Sequence, residues 1–221
     1  MAFDTSRTFE QSAGLGLVQT GLYVTYLKRS LDILIVLLFA LPVVLIVAFL
    51  AMLVALDGGN PFYAQRRIGL QRRPFRMWKL RSMVADADQL LERHLATDPA
   101  LRREWDLTQK LKADPRITPI GRLIRKTSLD ELPQLWNVLT GDMSLIGPRP
   151  MMPGQDEIYP GTAYYAMRPG LSGYWQTSVR NDSNFAERAY HDTQYFHDQS
   201  LLTDITVMMR TVRVVMQATG H

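Results

Sequence analysis

The sequence predicts an α+β fold that is mostly helical, in which a re-entrant membrane helix joins a small domain with a short β-hairpin and amphipathic interfacial helices. Three observations lead to this prediction. Residues 31–56 are almost wholly apolar, residues 62–83 alternate aromatic and basic side chains around a Gly69 to Pro74 turn, and long Ala-, Leu- and Arg-rich stretches follow. With 221 residues, 47% of them hydrophobic, the chain can bury one compact core besides a membrane element.

Composition narrows the class of protein. The net charge of +4 suits anionic partners such as phospholipid headgroups, nucleotide phosphates or nucleic acid. The absence of cysteine excludes a disulfide framework, a thiolate metal site and a cysteine nucleophile. Residues 1–25 carry no cleavable signal pattern, and we expect a mobile or surface-lying leader there. The membrane helix is then predicted at 26–57 and the remaining domain at 58–221.

The apolar segment is long enough to span a bilayer, but its flanks favour a re-entrant path. Lys28 and Arg29 precede it. Five arginines follow it: Arg66, Arg67, Arg72, Arg73 and Arg76. Because positive flanks prefer the cytoplasmic face, both ends are expected on that face. Pro42 removes one helical hydrogen bond and is the predicted hinge between two short arms. A single-pass helix kinked at Pro42 is the alternative.

Residues 62–83, where aromatic and basic side chains alternate, are predicted to form a β-hairpin. Four arginines of this hairpin are expected to contact anionic headgroups rather than to bind a pyrophosphate: Arg66, Arg67, Arg72 and Arg73. Lys79 and Arg81 alternate with Leu80, so in a strand they share one face.

Two further stretches have helical spacing. Residues 83–112 are predicted as two surface helices broken near Asp98 and Pro99. Residues 201–216 place Arg210 and Arg213 beside a recurrent apolar stripe, which favours an amphipathic helix lying on the bilayer over a plain core helix.

The most informative stretch runs from Ser128 to Pro150. It contains adjacent carboxylates, Asp130 and Glu131, whose mutual repulsion requires a divalent cation or a cluster of basic side chains nearby. A capping box, in which Ser128 and Glu131 cap a helix, is the purely structural alternative. The sequence Gly-Pro-Arg-Pro at 147–150 predicts a rigid corner that aims Arg149.

Several long motifs occur in one order along the chain. They are K-R-S-L-D at 28–32, F-Y-A-Q-R-R-I-G at 62–69, F-R-M-W-K-L-R-S-M at 75–83, D-P-R-I-T-P-I-G at 114–121, the 128–150 stretch, and R-P-G-L-S-G-Y-W-Q at 168–176. With a D-x-x-x-x-x-x-T pattern from Asp204, the chain from about Tyr26 to its end resembles the bacterial sugar transferases, which are monotopic phosphoglycosyl transferases.

This resemblance implies an activity and a cofactor. It implies transfer of a sugar 1-phosphate from a UDP-sugar to polyprenyl (undecaprenyl) phosphate, with release of UMP, as the first step of exopolysaccharide or related glycan assembly. It further implies that Mg²⁺ is required, that Asp130 is a nucleophile that forms a covalent phosphosugar intermediate and lies at the metal, and that Glu131 assists it.

The resemblance also assigns binding residues. The expected phosphate contacts are Lys79, Arg81, Arg125 and Arg149. Gln176 and Arg180 are the expected nucleotide contacts. Two positions depart from the family pattern: Leu41 stands where relatives often have a small polar residue before the hinge proline, and Val179 replaces a usual glycine of the nucleotide loop.

The implied location is the cytoplasmic face of a bacterial inner membrane, with membrane lipids as partners and downstream glycosyltransferases as possible ones. A minimal catalytic unit acting on galactose or glucose is expected, and no oligomeric state is predicted. The alternatives are a membrane-bound nucleotide-diphosphate-sugar hydrolase and a non-enzymatic basic binding protein. No nucleic-acid partner is expected, because the two carboxylates weaken an anion-binding surface.

Overall fold

The computed structural model describes residues 21–108, 111, 114–178 and 185–216, and within them the chain is mostly helical. The helices are α1 (Lys28–Leu38), α2 (Ala40–Ala55), α3 (Ala87–Thr97), α4 (Pro99–Thr108), α5 (Pro119–Lys126), α6 (Gln134–Thr140), α7 (Tyr174–Ser178), α8 (Glu187–Asp198) and α9 (Leu201–Met216). The strands are β1 (Phe62–Ile68), β2 (Pro74–Leu80), β3 (Ser144–Ile146) and β4 (Gly170–Ser172). The predicted mostly helical α+β class is therefore confirmed, while most of the predicted leader lies outside the described residues.

The apolar segment is broken into two arms. A π-helical turn, Tyr23–Leu27, leads into α1, and α1 and α2 meet at Phe39 with a bend of 60°. Pro42 lies in the first turn of α2, where its missing N–H is tolerated, so the chain breaks just before it. Among the described residues no single helix is long and apolar enough to cross a membrane, whereas this bent pair together has the length and composition.

Both arms pack on the hairpin formed by β1 and β2. The strands are antiparallel, with Phe62 opposite Leu80 and Ile68 opposite Pro74. Val36 of α1 joins a buried cluster with Met77 of β2. Leu80, at the other end of the same strand, packs with the α2 side chains around Val54. The predicted hairpin is thus present, and it is the platform on which the two arms rest.

A buried polar network fixes the first arm to the C-terminal helices. The Asp204 carboxylate of α9 accepts hydrogen bonds from Tyr23 (2.6 Å) and Tyr195 (2.7 Å) and forms an ion pair with Lys28. Asp32 of α1 accepts a hydrogen bond from the Ser144 hydroxyl at 2.6 Å. Because buried carboxylates are costly unless they are satisfied, these contacts fix α1 in one position on the domain.

The other predicted helices are also present. Asp98 separates α3 from α4 and accepts hydrogen bonds from the backbone of Ala100 and Leu101, as expected for a helix break there. In α9, Asp204 and Val207 are buried. Its opposite side exposes a run of large apolar side chains: Leu201, Leu202, Ile205, Met209, Val212 and Val215. The helix is therefore amphipathic, with one face on the core and an apolar face uncovered.

The alternative prediction of a capping box at Ser128 and Glu131 is wrong. Ser128 adopts a left-handed conformation with φ of 56° and makes no side-chain cap hydrogen bond. Residues Leu129–Glu131 form a short 3-10 turn, and α6 begins only at Gln134. The carboxylates consequently lie on a tight turn before the helix, where a residue with positive φ stores backbone strain.

Candidate active site

Asp130 is the buried member of the carboxylate pair. Its side chain is 9% exposed, and burial raises its pKa to about 6. The neighbouring Glu131 adds to this rise, while Lys79 and Arg125 oppose it. The site thus holds a carboxyl group that changes charge close to neutral pH, which is a recurrent property of catalytic groups.

Glu131 is held by the hairpin. Lys79, near the end of β2, forms an ion pair with Glu131 at 2.7 Å, and both side chains are half-buried. The position of Lys79 follows from its strand register opposite Tyr63. This contact brings together two of the residues that the sequence assigned to one site, and it places an ammonium group beside the adjacent carboxylates.

Helix α5 brings Arg125 to the same place. Thr118 caps this helix by accepting a hydrogen bond from Gly121 at 2.9 Å. A Cβ atom at Gly121 would lie 1.9 Å from the Ser82 carbonyl oxygen, so only glycine permits this approach of α5 to the chain after β2. The close packing sets Arg125 within electrostatic reach of Asp130, whose pKa it lowers.

The Gly-Pro-Arg-Pro corner is fixed by the parallel pair β3 and β4. Gly147 donates to the Ser172 carbonyl and Gly170 donates to the Pro148 carbonyl, each at 2.8 Å. A Cβ atom at Gly170 would lie 2.1 Å from the Gly147 nitrogen. Arg149 follows this contact, and its guanidinium lies over the Trp175 ring at 5.7 Å. The predicted rigid corner is confirmed.

Two arginines that sequence reasoning did not assign to the site also reach the corner. Arg67 donates to the Pro150 carbonyl at 2.9 Å, and Arg188 donates to the Arg149 carbonyl at 2.8 Å. Burial, followed by the charge of Arg149, lowers the pKa of Arg67 to about 10. Arg67 also feels Glu131, so the corner adjoins the carboxylate pair.

The remaining assigned residues are Arg81, Gln176 and Arg180. Arg81 donates to the Val54 carbonyl at the end of α2 at 3.1 Å, which ties it to the second arm of the apolar segment. Gln176 is buried in α7. Arg180 and Val179 lie outside the described residues. Phosphate binding by Arg81 and nucleotide binding by Gln176 and Arg180 stay predictions.

The carboxylates of the site suit Mg²⁺ when a substrate supplies the other ligands. The described residues contain no group of three or more His, Asp or Glu side chains that could hold a metal ion. In phosphoryl-transfer sites, however, Mg²⁺ uses one or two carboxylates and takes its other ligands from substrate phosphates and water. Asp130 and Glu131, held side by side against their mutual repulsion, fit this second arrangement.

Comparison with known proteins identifies the family. The model of the bacterial sugar transferase family matches residues 23–218. The chain belongs to this family. The matched range contains both arms of the apolar segment, the hairpin, the carboxylate pair and the arginine corner, so the whole of the described site lies inside it.

Some relatives in this sugar transferase family have names that state an activity. The chain is 46% identical over 200 residues to a UDP-galactose-lipid carrier transferase of Erwinia amylovora and 44% identical over 200 residues to an undecaprenyl-phosphate galactose phosphotransferase of Salmonella typhimurium. Each match covers 88% of this chain but 41% of the relative. It is 41% identical over 198 residues to the exopolysaccharide production protein ExoY of Sinorhizobium fredii, with 87% of each covered.

A local signal could have separated Arg67 from its neighbours. Adjacent strand residues point to opposite faces, so Arg66 and Arg67 of β1 could not share one role. Arg66 is exposed and Arg67 is half-buried. For Arg188, in α8 and far from β1 in sequence, no local pattern of the chain indicates its approach to the corner.

Proposed function

We propose that this chain transfers a sugar 1-phosphate from a UDP-sugar to polyprenyl phosphate and releases UMP, as the first step of exopolysaccharide or related glycan assembly. The observation that carries the proposal is the buried Asp130 carboxyl group, set between Lys79, Glu131 and Arg125 within a chain of the sugar transferase family. The activities named for the Erwinia and Salmonella relatives support the choice of substrates.

In the first half-reaction, a carboxylate oxygen of Asp130 attacks the β-phosphorus of the UDP-sugar. The bond from that phosphorus to the bridging oxygen breaks, and UMP leaves with the electron pair. The product on the enzyme is an aspartyl phosphosugar. Because a carboxylate is a weak nucleophile toward an anionic diphosphate, the phosphate charges must be neutralised first, a role that we assign to Arg125 and Arg149.

In the second half-reaction, a phosphate oxygen of the polyprenyl phosphate attacks the same phosphorus. The Asp130 carboxylate leaves, and a polyprenyl diphosphate sugar is formed. Dividing the reaction in this way allows one site to receive a water-soluble donor and then a lipid acceptor. Lys79 keeps Glu131 in place beside the nucleophile throughout.

We further propose that Mg²⁺ is required and is held by Asp130, with Glu131 beside it. When bound, the ion supplies positive charge to the diphosphate and its leaving group. The protein's own part is to keep the two carboxylates adjacent on the turn after Ser128 and to exclude water from Asp130.

The direct test is UMP release by the purified full chain with a panel of UDP-sugars, with and without polyprenyl phosphate and Mg²⁺. We expect one equivalent of UMP per enzyme in the absence of acceptor, sustained turnover in its presence, and loss of both when Mg²⁺ is chelated. Product analysis separates the alternatives. Free sugar phosphate in place of a lipid-linked product would indicate a hydrolase, and absence of UMP with every donor would leave only a binding protein.

The nucleophile is tested with Asp130→Asn, which keeps the side-chain shape and removes the attacking oxygen anion. We expect at least a thousandfold loss of the UMP burst and of turnover, roughly the range seen when an enzyme loses a nucleophile. Asp86→Asn, at an exposed carboxylate before α3, is the matched control and should behave as wild type. Substantial turnover by Asp130→Asn would contradict the covalent route.

The proposed location is the cytoplasmic face of a bacterial inner membrane, with α1 and α2 dipping into one leaflet. The basic residues at both ends of the apolar segment and the bend of 60° support this placement. The exposed apolar face of α9 lies on the same domain and would meet the lipid surface.

A further inference from the structure

We propose that Arg67 and Arg188 join Arg149 in a three-arginine site that binds a phosphate group of the substrates, an inference that rests on the proposed function. For Arg67 the sequence favoured a contact with anionic headgroups over binding of a pyrophosphate, and it assigned no role to Arg188. One comes from the hairpin and the other from α8, and they meet at the same corner of the chain.

The convergence is set by hydrogen bonds to two consecutive carbonyl groups. Arg67 donates through Nη1 to Pro150, and Arg188 donates through Nη2 to Arg149. Trp175 reinforces the arrangement, because the guanidinium carbons of Arg149 and Arg188 lie 5.7 Å and 5.2 Å from its ring centre. Three guanidinium groups are therefore gathered around one backbone turn.

The three guanidinium groups concentrate positive charge at the corner. Arg188 is 6% exposed, and burial followed by the charge of Arg149 works against its protonated form, although Asp192 favours it. Asp192 is itself buried, accepts a hydrogen bond from Tyr159 at 2.7 Å, and has a pKa raised by burial to about 7. Bringing like charges together at such a site costs free energy that an anionic ligand would offset.

Hydrogen-bonding capacity remains for that ligand. Within the described part of the chain, the Nε atoms of Arg67 and Arg188 are buried and have no hydrogen-bond partner. A buried donor without an acceptor is unfavourable, and a phosphate group carries several acceptor oxygens that suit the planar guanidinium. Arg67 already donates from Nη1 to Pro150 and from Nη2 to Gln65, and Arg188 donates from Nη2 to Arg149, so the Nε atoms are the donors that remain for an anion.

The position agrees with the proposed chemistry. Burial lowers the pKa of Arg67 most. The charges of Arg149 and Arg188 lower it further and that of Glu131 raises it, so all three groups lie within electrostatic reach of its guanidinium. The three-arginine site is therefore within electrostatic reach of the carboxylate pair, where a phosphate of the UDP-sugar or of polyprenyl phosphate lies when Asp130 attacks the phosphorus or leaves it. The shared chemistry is a phosphate oxyanion, and the two substrates are separated by experiment.

The first measurement is binding of inorganic pyrophosphate, UDP and uridine to the full chain in detergent, by titration calorimetry or ligand-observed NMR. We expect Arg67→Gln and Arg188→Gln to weaken pyrophosphate and UDP about 10- to 100-fold, as for a charge-assisted contact, and to leave uridine unchanged. Arg93→Gln, at an exposed position of α3, is the matched control and should bind as wild type. Unchanged pyrophosphate affinity, or equal loss of uridine affinity, would overturn the proposal.

The buried Arg188 requires a second variant, because its removal could disturb the fold. Arg188→Lys keeps a positive charge beside Asp192 but lacks the planar fork, so we expect a folded protein with weakened pyrophosphate binding. A folded Arg188→Lys with wild-type pyrophosphate affinity would count against direct binding.

Kinetics then separates the two phosphate sources. A donor contact lowers kcat/KM for the UDP-sugar in the UMP burst, and an acceptor contact lowers kcat/KM for polyprenyl phosphate only. Either result supports the three-arginine site, and unchanged values for both substrates would overturn it. Absence of UMP release by the wild-type chain would remove the proposed function, while the pyrophosphate measurement would still report on the arginines.

Discussion

Burial brings the pKa of the Asp130 carboxyl group close to neutral pH. Its pKa of about 6 lies well above the ordinary value of an aspartic acid, first because of desolvation and then because of Glu131. The proposed nucleophile must be ionised to attack, and burial makes its ionisation costly, a cost that Lys79 and Arg125 reduce. This balance leads to two predictions at the scale of the residue.

The first concerns the rate. Because protonation removes the attacking anion, kcat/KM of the UMP burst is expected to fall about tenfold per pH unit below about pH 6 and to level off above it. A pH profile measured at the lowest Mg²⁺ concentration that supports the burst checks this, because a cation bound at Asp130 favours the carboxylate and moves the fall to lower pH. A rate that stays constant down to pH 4.5 would show that ionisation of a carboxyl group does not control the step.

The second concerns stability. Since the folded state raises the pKa of Asp130 from its ordinary value of 3.8, the folded protein binds more protons than the unfolded chain between about pH 4 and 6, and this carboxyl group makes folding less favourable as pH rises through that window. Asp130→Asn is therefore expected to raise the melting temperature at pH 7.5, by an amount that corresponds to at most about 3 kcal/mol. The gain should shrink at pH 4.5, and a variant that melts below wild type at pH 7.5 would contradict this account.

Individual residues also show what the sequence could predict. The resemblance assigned Asp130, Glu131, Lys79 and Arg125 to one site, and in the structure Lys79 pairs with Glu131 while Arg125 lies within electrostatic reach of Asp130. The capping box failed at Ser128, since a single residue in a left-handed conformation redirects the chain without any signal in the neighbouring residue types.

Helix α6 supports the hairpin through a buried amide side chain as well as through apolar packing. Asn137, which is 1% exposed, accepts a hydrogen bond from the Trp78 N–H at 3.0 Å and donates to the Arg76 carbonyl at 2.7 Å. It therefore takes the place of a neighbouring strand for β2. The contact keeps Lys79, one residue further along, opposite the carboxylate turn.

Removing this amide should loosen the hairpin. Asn137→Ala leaves two backbone groups without their partner, and we expect a loss of about 2 to 4 kcal/mol of stability and a fall in melting temperature on the order of 10 °C. Asn60→Ala is the control, because Asn60 also bonds a strand residue, Phe62, but at an exposed position. Thermal melts in detergent compare them, and equal shifts for both variants would argue against the special role of Asn137.

Helices and strands could be predicted where neighbouring residues indicate a turn or a periodicity, and not where pairing depends on distant residues. The hairpin and the helix break at Asp98 follow from turn residues and periodicity. The parallel pair of β3 and β4 has three residues in each strand, 23 residues apart, and depends on glycine contacts across the pair. Such pairing is decided by long-range packing, which explains why it escaped prediction.

At the scale of the whole molecule, both arms of the apolar segment begin and end on one domain. The start of α1 is held by Asp204 and Ser144, and the end of α2 packs with Leu80. The bend lies away from these contacts, where Leu38 and Leu41 are each 72% exposed. A helix crossing a bilayer would carry its two ends to opposite sides, whereas these contacts keep both ends on the same body.

This arrangement predicts that both ends of the segment face the cytoplasm. The natural chain has no cysteine, so single replacements can be labelled without background. Thr25→Cys and Arg73→Cys, both exposed, lie before and after the arms, and Leu41→Cys lies at the bend. With a membrane-impermeant maleimide, the first two should react only after the cells are permeabilised, and Leu41→Cys should resist labelling until detergent is added, because lipid covers the bend. Labelling of Thr25→Cys and Arg73→Cys from opposite sides of the membrane would instead require a single-pass helix and a rearrangement of the contacts at Asp204 or Leu80.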